Sequence, residues 1–321
     1  CFPHRIPLFM PERSSASSNA SAHAATAQQA SGVSSWSRML RDYLTLTKPE
    51  ISFLVTVSAF AGFLLGSPTG LDVSTLLLTL VGVGMCAGGV GMLNHCIEHR
   101  LDATMKRTAD RPIPAGRVPL AHAQWVGTGL VLASVGMLCP LVNPPTAVLA
   151  ALTAILYLYV YTPLKRHTTY NTIIGTIPGA LPALGGYVAA TGTFGAAGWA
   201  VFAILVCWQM PHFLSLAWMY RNDYARGNYA MLPVEEPSGD STAYQTIAFT
   251  VLLVGASVLP MVVGPAGWVY LAGVLPIGLW FLYRALQFHR ERTGIRARHV
   301  LKASIVYIPA LVALLTIDWF L

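Results

Sequence analysis

Residues 74–114 read STLLLTLVGVGMCAGGVGMLNHCIEHRLDATMKRTADRPIP, an apolar run that ends abruptly in charge. The apolar part, 74–97, has the roughly 20 residues that a helix needs to cross a bilayer. Only 33 of the 321 residues of the chain are charged, yet eight of them lie between Glu98 and Arg117. The stretch therefore predicts a membrane-spanning helix whose polar end carries the chemistry of the protein.

Apolar runs of similar length recur along the chain. Hydrophobic residues make up 55% of the sequence and its mean hydropathy is +0.57, well above the values of a soluble domain. The glycines and prolines of 171–190 suggest a broken helix that packs closely against its neighbours. We predict an all-α integral membrane protein with nine transmembrane helices, at 48–67, 74–97, 121–140, 145–162, 171–190, 198–219, 243–264, 267–288 and 300–320.

The positions of the cations predict the orientation of these helices. With the N-terminus in the cytoplasm, all 20 Lys and Arg residues fall on the cytoplasmic side and the C-terminus lies outside. The net charge of +7 is accordingly a topology signal and a contact for membrane lipids, and it does not indicate nucleic-acid binding. We expect a bacterial plasma membrane rather than the mitochondrial inner membrane.

The first 36 residues differ in composition from the rest of the chain. They are rich in Ser, Ala and Gln and show no apolar periodicity. Such a segment cannot bury enough apolar surface to fold alone. We predict a disordered tail over 1–36 and a membrane domain over 37–321.

Three oxygen-bearing side chains recur at intervals of four residues at the end of the second span: Asn94, Glu98 and Asp102. Each step of four residues drifts by only about 40° around a helix, so the three share one face. Mg²⁺ prefers oxygen ligands and usually takes one or two carboxylates, leaving its other positions to water and phosphate. The alternative, a solvated helix end with salt bridges, is less favoured because carboxylates near a membrane are costly.

Basic residues follow this acidic face and recur after the fourth span. Lys106, Arg107 and Arg111 come first, and Lys165 and Arg166 face the same side of the membrane. Taken alone, they are typical of a cytoplasmic basic loop. Next to a metal site the same cations would clamp phosphate, because guanidinium groups match phosphate oxygens. Both interpretations remain open at this point.

A second polar cluster closes the sixth span, where Asp223 lies beside Arg221 at the same membrane face. Within the span, His212 follows Pro211, and ionisable groups inside a membrane are candidates for function. The alternative for His212 is structural, because a proline frees backbone groups that an imidazole can satisfy.

Four motifs occur together from the second span onward. They are NxxxExxxDxxMxRTxxRP at 94–112, YTPLKR at 161–166, GxxPGALPxLxGYxAxTG at 175–192 and WQxPHFxxLxxxYRxDYxxxxxxMLPV at 208–234. Together they resemble the haem O synthases, or protohaem IX farnesyltransferases, of the UbiA-type intramembrane prenyltransferases. The resemblance implies a nine-helix bundle around a central cavity that opens to the cytoplasm. It also implies transfer of a farnesyl group from farnesyl diphosphate to a vinyl group of haem b, with water adding, to give haem O and diphosphate.

The resemblance assigns roles at the diphosphate end of such a reaction. Asn94, Glu98 and Asp102 would bind Mg²⁺ and diphosphate, and Asp223 would provide the second acidic site. Glu98, Asp102, Asp223 and the haem-facing His212 are then the catalytic candidates. The cations expected to bind the diphosphate are Lys106, Arg107, Arg111, Lys165, Arg166 and Arg221.

The resemblance also places haem b, as a substrate, against His212, Trp208 and Gln209. His212 would either ligate the haem iron or accept the proton of the added water. An aromatic cavity would protect and attract an allylic cation. The aromatic residues expected to line it are Tyr157, Tyr159, Tyr161, Trp208, Phe213 and Trp218.

Two positions depart from the family pattern. The chain reads Glu98-His99-Arg100 where many members carry Asp-Arg-Asp, and Gly227 stands where the second motif would have its second acid. The number of metal ions is therefore open. Asp223 would orient a basic side chain or a water molecule if it does not bind metal.

Other functions fit some of the same features. A UbiA-type enzyme acting on a quinone or chlorin precursor would share the diphosphate site, and a transporter or non-catalytic haem carrier would also place charge in the membrane. Acids and arginines clustered on one face only are a poor arrangement for alternating access. If the product is haem O, the expected downstream partners are haem A synthase or a terminal oxidase assembly.

Overall fold

The computed structural model describes residues 35–321, which contain helices and no strand. Most of the predicted tail lies outside the described residues; its last two, Ser35 and Trp36, begin the first helix. The helical bundle comprises Tyr43–Leu321. The helices are α1 Ser35–Leu46, α2 Pro49–Leu65, α3 Val73–Asp102, α4 Leu120–Leu141, α5 Pro144–Leu164, α6 Asn171–Thr191, α7 Ala196–Met219, α8 Arg221–Arg226, α9 Leu232–Glu235, α10 Asp240–Val263 (interrupted after Ala256), α11 Trp268–Arg290 and α12 Gly294–Trp319.

Eight of these helices are long and apolar enough to cross a membrane, and α2 makes a ninth when it is counted together with α1. Each of the nine lies where a span was predicted, and the chain is an integral membrane protein. The largest differences are at polar ends: α3 continues to Asp102, and α12 begins at Gly294. Hydropathy cannot place these ends, because the helices continue past their apolar parts.

Helices that follow one another in the chain also pack against one another. Contacts join α3 to α4, α4 to α5, α5 to α6, α6 to α7, α7 to α10, α10 to α11 and α11 to α12. The series closes because α12 packs on α2 and α7, while α2 packs on α3 and α6. The largest apolar core lies among α2, α6, α7, α10, α11 and α12.

Helix α6 is continuous, so the expectation of a broken helix over 171–190 is wrong. Pro178 and Pro182 lie inside it without interrupting it. Each proline removes one N–H from the helical ladder. The surrounding α2, α5 and α7 hold the helix together, since α6 packs on all three.

The close packing expected of this helix is confirmed where it crosses α2. A Cβ added at Gly186 would lie 1.8 Å from the carbonyl oxygen of Ala59, and one at Gly62 would lie 1.8 Å from the carbonyl oxygen of Ala183. The two backbones therefore touch, which only small residues permit in membrane helices.

Charge is distributed unequally between the two faces of the bundle. Among the described residues, the Lys and Arg side chains lie before α2, in or after the last turns of α3, α5, α7 and α11, or in the first turns of α12, and we call this side the cationic face. On the other face Asp72 caps α3: the hydroxyls and N–H groups of Ser74 and Thr75 bond to it and lower its pKa to about 2. Asp318 accepts a hydrogen bond of 3.1 Å from the N–H of Tyr270 in the first turn of α11.

The contact between α2 and α6 predicts that the effect of a glycine-to-alanine substitution on stability depends strongly on its position in α6. Gly186→Ala should destabilise the protein by about 1–3 kcal/mol, because its Cβ cannot fit without separating the two helices. The midpoint of thermal unfolding of the purified protein in detergent measures this effect.

Gly185→Ala is the matched control. Nothing lies within 4 Å of a Cβ added at Gly185, and alanine favours a helix over glycine by about 1 kcal/mol. Its midpoint should stay unchanged or rise. Equal losses in the two variants would contradict the packing argument.

Candidate active site

The predicted polar face of α3 is present and points into the bundle. Asn94, Glu98 and Asp102 lie in its last turns and are 0%, 6% and 1% exposed. Helical geometry aligns them, as the interval of four residues requires. A buried carboxylate is unfavourable unless it is paired, so the partners of these side chains define the site.

Both carboxylates are paired with cations from other segments. Glu98 Oε1 accepts a hydrogen bond from Lys165 Nζ at 2.8 Å, and each oxygen of Asp102 lies 2.7 Å from Arg111 Nη1. Burial acts to lower the pKa of Lys165, but the Glu98 carboxylate holds that pKa well above its usual range. Lys165 is therefore charged at physiological pH. Lys165 and Arg111, two of the cations predicted to bind diphosphate, both contact the acids of α3, and together with Lys48 they form what we call the cationic cluster.

The third partner, Lys48, is a residue that the sequence analysis did not identify. Its Nζ donates to Asn94 Oδ1 at 2.5 Å, while Asn94 Nδ2 donates to Thr162 Oγ1 at 3.2 Å. An ammonium group can only donate, so the amide oxygen of Asn94 faces Lys48. Lys48 has φ 50° and ψ 63°, a left-handed conformation that is uncommon outside glycine and is often found at functional sites. The sequence signal was Pro49, which favours the first position of a helix and makes Lys48 its N-cap.

An apolar cavity of about 250 Å³ begins beside this cluster. Its walls come from α2, α3, α5, α6 and α7, and both Lys48 and Tyr161 line it. The ammonium of Lys165 lies 4.6 Å from the centre of the Tyr161 ring. The cationic cluster and the apolar cavity are therefore parts of one continuous site.

Four of the six predicted aromatic residues line this cavity. Tyr159 does not, since its side chain is 73% exposed on the outside of α5. Trp218 does not either, because its ring packs against Phe288 of α11 with 5.6 Å between the ring centres. The lining residues are Tyr157, Tyr161, Trp208 and Phe213.

A π-helical turn at Leu156–Tyr161 sets the positions of the two tyrosines. Pro163 has no N–H to donate to the helical ladder, and Thr162 donates to the Tyr157 carbonyl through both its N–H and its hydroxyl, the latter at 2.8 Å. Turns of this kind are frequent at functional sites. Tyr157 and Tyr161 meet edge to face at 5.1 Å, and both reach the cavity.

The three residues expected to face haem lie on one wall of the cavity, in α7. The His212 ring stacks on Trp208 with 5.1 Å between ring centres, and its Nδ1 lies 2.9 Å from Ser304 Oγ. Gln209 Nε2 donates to the carbonyl of Thr176 at 3.1 Å, which fixes it against α6. The structure thus brings these side chains together, and it adds Ser304, which the sequence analysis did not identify.

Asp223 lies apart from the acids of α3 in its contacts. It pairs with Arg226, one turn further along α8. The segment packs on the loop after α3 through Tyr229 and Met105, and a Cβ at Gly227 would lie 3.0 Å from the sulfur of Met105. A side chain at position 227 would therefore crowd Met105 and Tyr229. Among the described residues, no three acidic, imidazole or thiol side chains are arranged to hold a metal ion.

Four of the predicted phosphate-binding cations do not contact the acids of α3. The guanidinium of Arg107 lies 5.1 Å from the ring centre of Tyr220, which joins the loop after α3 to the end of α7. Arg221 lies 4.6 Å from the ring centre of Trp218, on the side of α7 that faces α11. The four exposed cations are Lys106, Arg107, Arg166 and Arg221.

Two histidines flank the acidic face. His95 is 2% exposed, its Nδ1 lies 3.8 Å from Asp102 Oδ2, and neither ring nitrogen has a hydrogen-bond partner among the described residues. His99 Nδ1 lies 2.8 Å from the carbonyl oxygen of Cys96 in its own helix. The His99 side chain therefore contacts the backbone of its own helix and not the carboxylates of the acidic face.

Comparison with known proteins places this site in a family context. Residues 55–308 match the UbiA prenyltransferase family. A protein of Salinibacter ruber named protoheme IX farnesyltransferase is 68% identical over 283 residues, which cover 88% of this chain and 100% of that protein. Solved structures of digeranylgeranylglyceryl phosphate synthase and of an Archaeoglobus fulgidus UbiA homolog bound to DMAPP and Mg²⁺ have TM-scores of 0.73 and 0.59 at 18% and 15% identity. These matches cover 88% and 86% of this chain and 99% of each of those chains, and they confirm the predicted helical fold.

The buried ion pair between Glu98 and Lys165 predicts that substitutions of these two residues have coupled effects on stability. Lys165→Met should leave the Glu98 carboxylate buried without a partner and destabilise the protein by about 3 kcal/mol. The double variant Lys165→Met/Glu98→Gln removes both charges and should recover most of the loss. Thermal unfolding midpoints of the purified variants measure both effects.

Arg166→Met is the control for this pair, since Arg166 is the adjacent cation and is exposed. It should leave the midpoint unchanged. A double variant as unstable as Lys165→Met alone would show that the two side chains are not coupled.

Proposed function

The chain belongs to the UbiA prenyltransferase family, and we propose that it transfers the farnesyl group of farnesyl diphosphate to a vinyl group of haem b, with addition of water, to give haem O and diphosphate. The name and full-length match of the Salinibacter ruber relative support this choice of substrates. The structural observation that carries the proposal is the continuity of a cationic cluster with an apolar cavity, since Lys48 belongs to both. An isoprenoid diphosphate has this same division into a charged head and an apolar chain.

The cationic cluster suits the diphosphate head. Lys165 and Arg111 neutralise the carboxylates of Glu98 and Asp102, and Lys48, which donates to Asn94, adds a third basic group. Burial lowers the pKa of Lys48 to about 7, so these five groups carry one net positive charge when Lys48 is protonated, the form that an anionic ligand stabilises. Cations fixed at the edge of an apolar cavity stabilise the negative charge that develops on a departing oxygen. These cations need not move during the reaction, because the protein already holds them in position.

Mg²⁺ fits the donors of this cluster. Asn94 Oδ1 and the carboxylates of Glu98 and Asp102 present hard oxygen atoms on one helix face, and Mg²⁺ commonly takes one or two carboxylates and shares its other positions with phosphate and water. That is compatible with the lack of a three-acid group among the described residues. These three residues would hold the ion, which supplies neutralising charge to diphosphate when it is bound. We propose that Asp223 provides the second acidic group, near the same face.

The cavity suits the prenyl chain and its reaction. The carbon–oxygen bond of farnesyl diphosphate breaks, its electron pair leaves with diphosphate, and an allylic cation remains. The ring faces of Tyr157 and Tyr161 attract this cation, and the apolar walls exclude water from it. The terminal vinyl carbon of haem attacks the cation. The carbon next to the porphyrin then takes up water, which loses a proton.

The membrane setting follows from the distribution of charge. We place the cationic face in the cytoplasm and the C-terminus outside, because short loops rich in Lys and Arg stay inside. The Salinibacter relative is bacterial, which supports a bacterial plasma membrane. In this setting the product would pass to haem A synthase or to a terminal oxidase assembly.

Asp102 provides a direct test of the diphosphate site. Asp102→Asn should lower haem O formation about a hundredfold, because Asp102 holds Arg111 in place and removing one preorganised donor from a catalytic site typically has an effect on this order. Purified protein is supplied with farnesyl diphosphate, Mg²⁺ and haem b, and diphosphate release is followed over time.

Asp110→Asn is the matched control, as Asp110 is an exposed acid of the loop that follows. It should retain wild-type activity. Unfolding midpoints confirm that both variants fold. Near-normal turnover by Asp102→Asn would remove this residue from the active site.

The acceptor is tested by competition. Wild-type protein receives farnesyl diphosphate, Mg²⁺ and equal amounts of haem b and 4-hydroxybenzoate, and products are identified by mass spectrometry. We expect haem O and no prenylated benzoate. A prenylated benzoate without haem O would assign the chain to the quinone branch of the family.

A further inference from the structure

The hydrogen bond between His212 and Ser304 has a defined direction. The hydroxyl of Ser304 donates to the carbonyl oxygen of Leu301 at 2.6 Å, and a serine has only one hydroxyl hydrogen. The same oxygen lies 2.9 Å from His212 Nδ1, and both contacts can be hydrogen bonds only if it accepts there, which selects the tautomer protonated at Nδ1. Nδ1 of His212 carries a hydrogen, and in the neutral ring the lone pair lies on Nε2.

The ring orientation is fixed by the same contact between α7 and α12. Trp208 Nε1 donates to the carbonyl oxygen of Ser304 at 2.7 Å, and the Trp208 ring stacks on His212 with 27° between the ring planes. Phe213 meets the imidazole edge to face at 5.5 Å. Ser304 itself is 0% exposed. One buried serine thus positions both the imidazole and the indole beside it.

Nε2 of His212 is the atom that this arrangement leaves for a ligand. The ring lines the cavity, and among the described residues no group forms a hydrogen bond with Nε2. A histidine that acts as a base is usually paired with a carboxylate that stabilises the imidazolium. Here the partner is a neutral hydroxyl. A histidine that binds metal typically donates its other N–H to an oxygen acceptor, and this is the observed pattern.

On the basis of the proposed function, we propose that Nε2 of His212 is an axial ligand of the haem iron and that Ser304 is its positioning residue. The lone pair of Nε2 forms the bond to iron, and Nδ1 keeps its hydrogen, so no proton is released. Ligation would hold the macrocycle at the α7 wall of the cavity that also takes the prenyl chain. The proton of the added water must then leave by another route.

Spectroscopy of the haem complex tests the ligand. Purified full-length protein is titrated with ferric protohaem IX and followed by Soret absorption, and the reduced complex is examined by resonance Raman for an iron–histidine stretching band. His212→Gly should lose the band and bind haem at least about tenfold more weakly. Added imidazole should restore the band by occupying the vacated position, which also shows that the variant is folded.

Ser304→Ala tests the positioning role. Loss of an outer partner of a metal ligand typically weakens metal binding on the order of tenfold, and it makes the ligand less basic. We therefore expect weaker haem binding and a lower iron–histidine frequency. Ser215→Ala is the matched control: Ser215 is equally buried, and its hydroxyl bonds to the backbone carbonyl of His212 instead of the ring. Its haem affinity and band should match the wild type.

The outcomes separate this inference from the proposed function. A stretching band that survives in His212→Gly overturns the ligand assignment even if wild-type protein makes haem O. A Ser304→Ala complex identical to wild type overturns the positioning role of Ser304. Wild-type protein that ligates haem through His212 but forms no haem O contradicts the proposed function and leaves the ligand in place.

Discussion

Two carboxylates at the end of an apolar helix must be neutralised where they lie, and this requirement organises the cationic face of the protein. Glu98 is paired with Lys165 from the end of α5, and Asp102 with Arg111 from the loop after α3. A buried carboxylate without its partner is unfavourable by several kcal/mol. The pairs therefore fix α3, α5 and the loop after α3 relative to one another. The ion pairs that stabilise the fold are also the groups that face an anionic substrate.

Lys48 connects this polar network to the apolar cavity. Its left-handed backbone is of the kind that costs about 1–3 kcal/mol, and such a conformation persists only where the surroundings hold it. Asn94 accepts from its ammonium group, and Pro49 begins the next helix immediately after it. The same side chain lines the cavity. The strained residue thus stands where the charged head and the apolar tail of a ligand would join.

The sequence predicted those parts of the structure that depend on local rules. Hydropathy places the spans, and the spacing of four residues predicts the shared face of Asn94 and Asp102, because both are properties of one segment. The contacts of Lys48 with Asn94 and of Ser304 with His212 join residues 46 and 92 positions apart, and no local pattern encodes them. A local pattern also does not reveal which way a side chain points. Tyr159, for example, was predicted to line the cavity but faces outward.

The helix caps on the face opposite the cationic face have a further consequence. Asp72 and Asp318 serve helix N-termini there, and no Lys or Arg of the described residues lies on that side. Inverting the protein after insertion would carry every described cation through hydrocarbon, at a cost of a few kcal/mol for each. The orientation adopted during synthesis is accordingly permanent. Because Lys48, Lys165 and Arg111 lie at the cationic face, a diphosphate head would always be bound from that same side of the membrane.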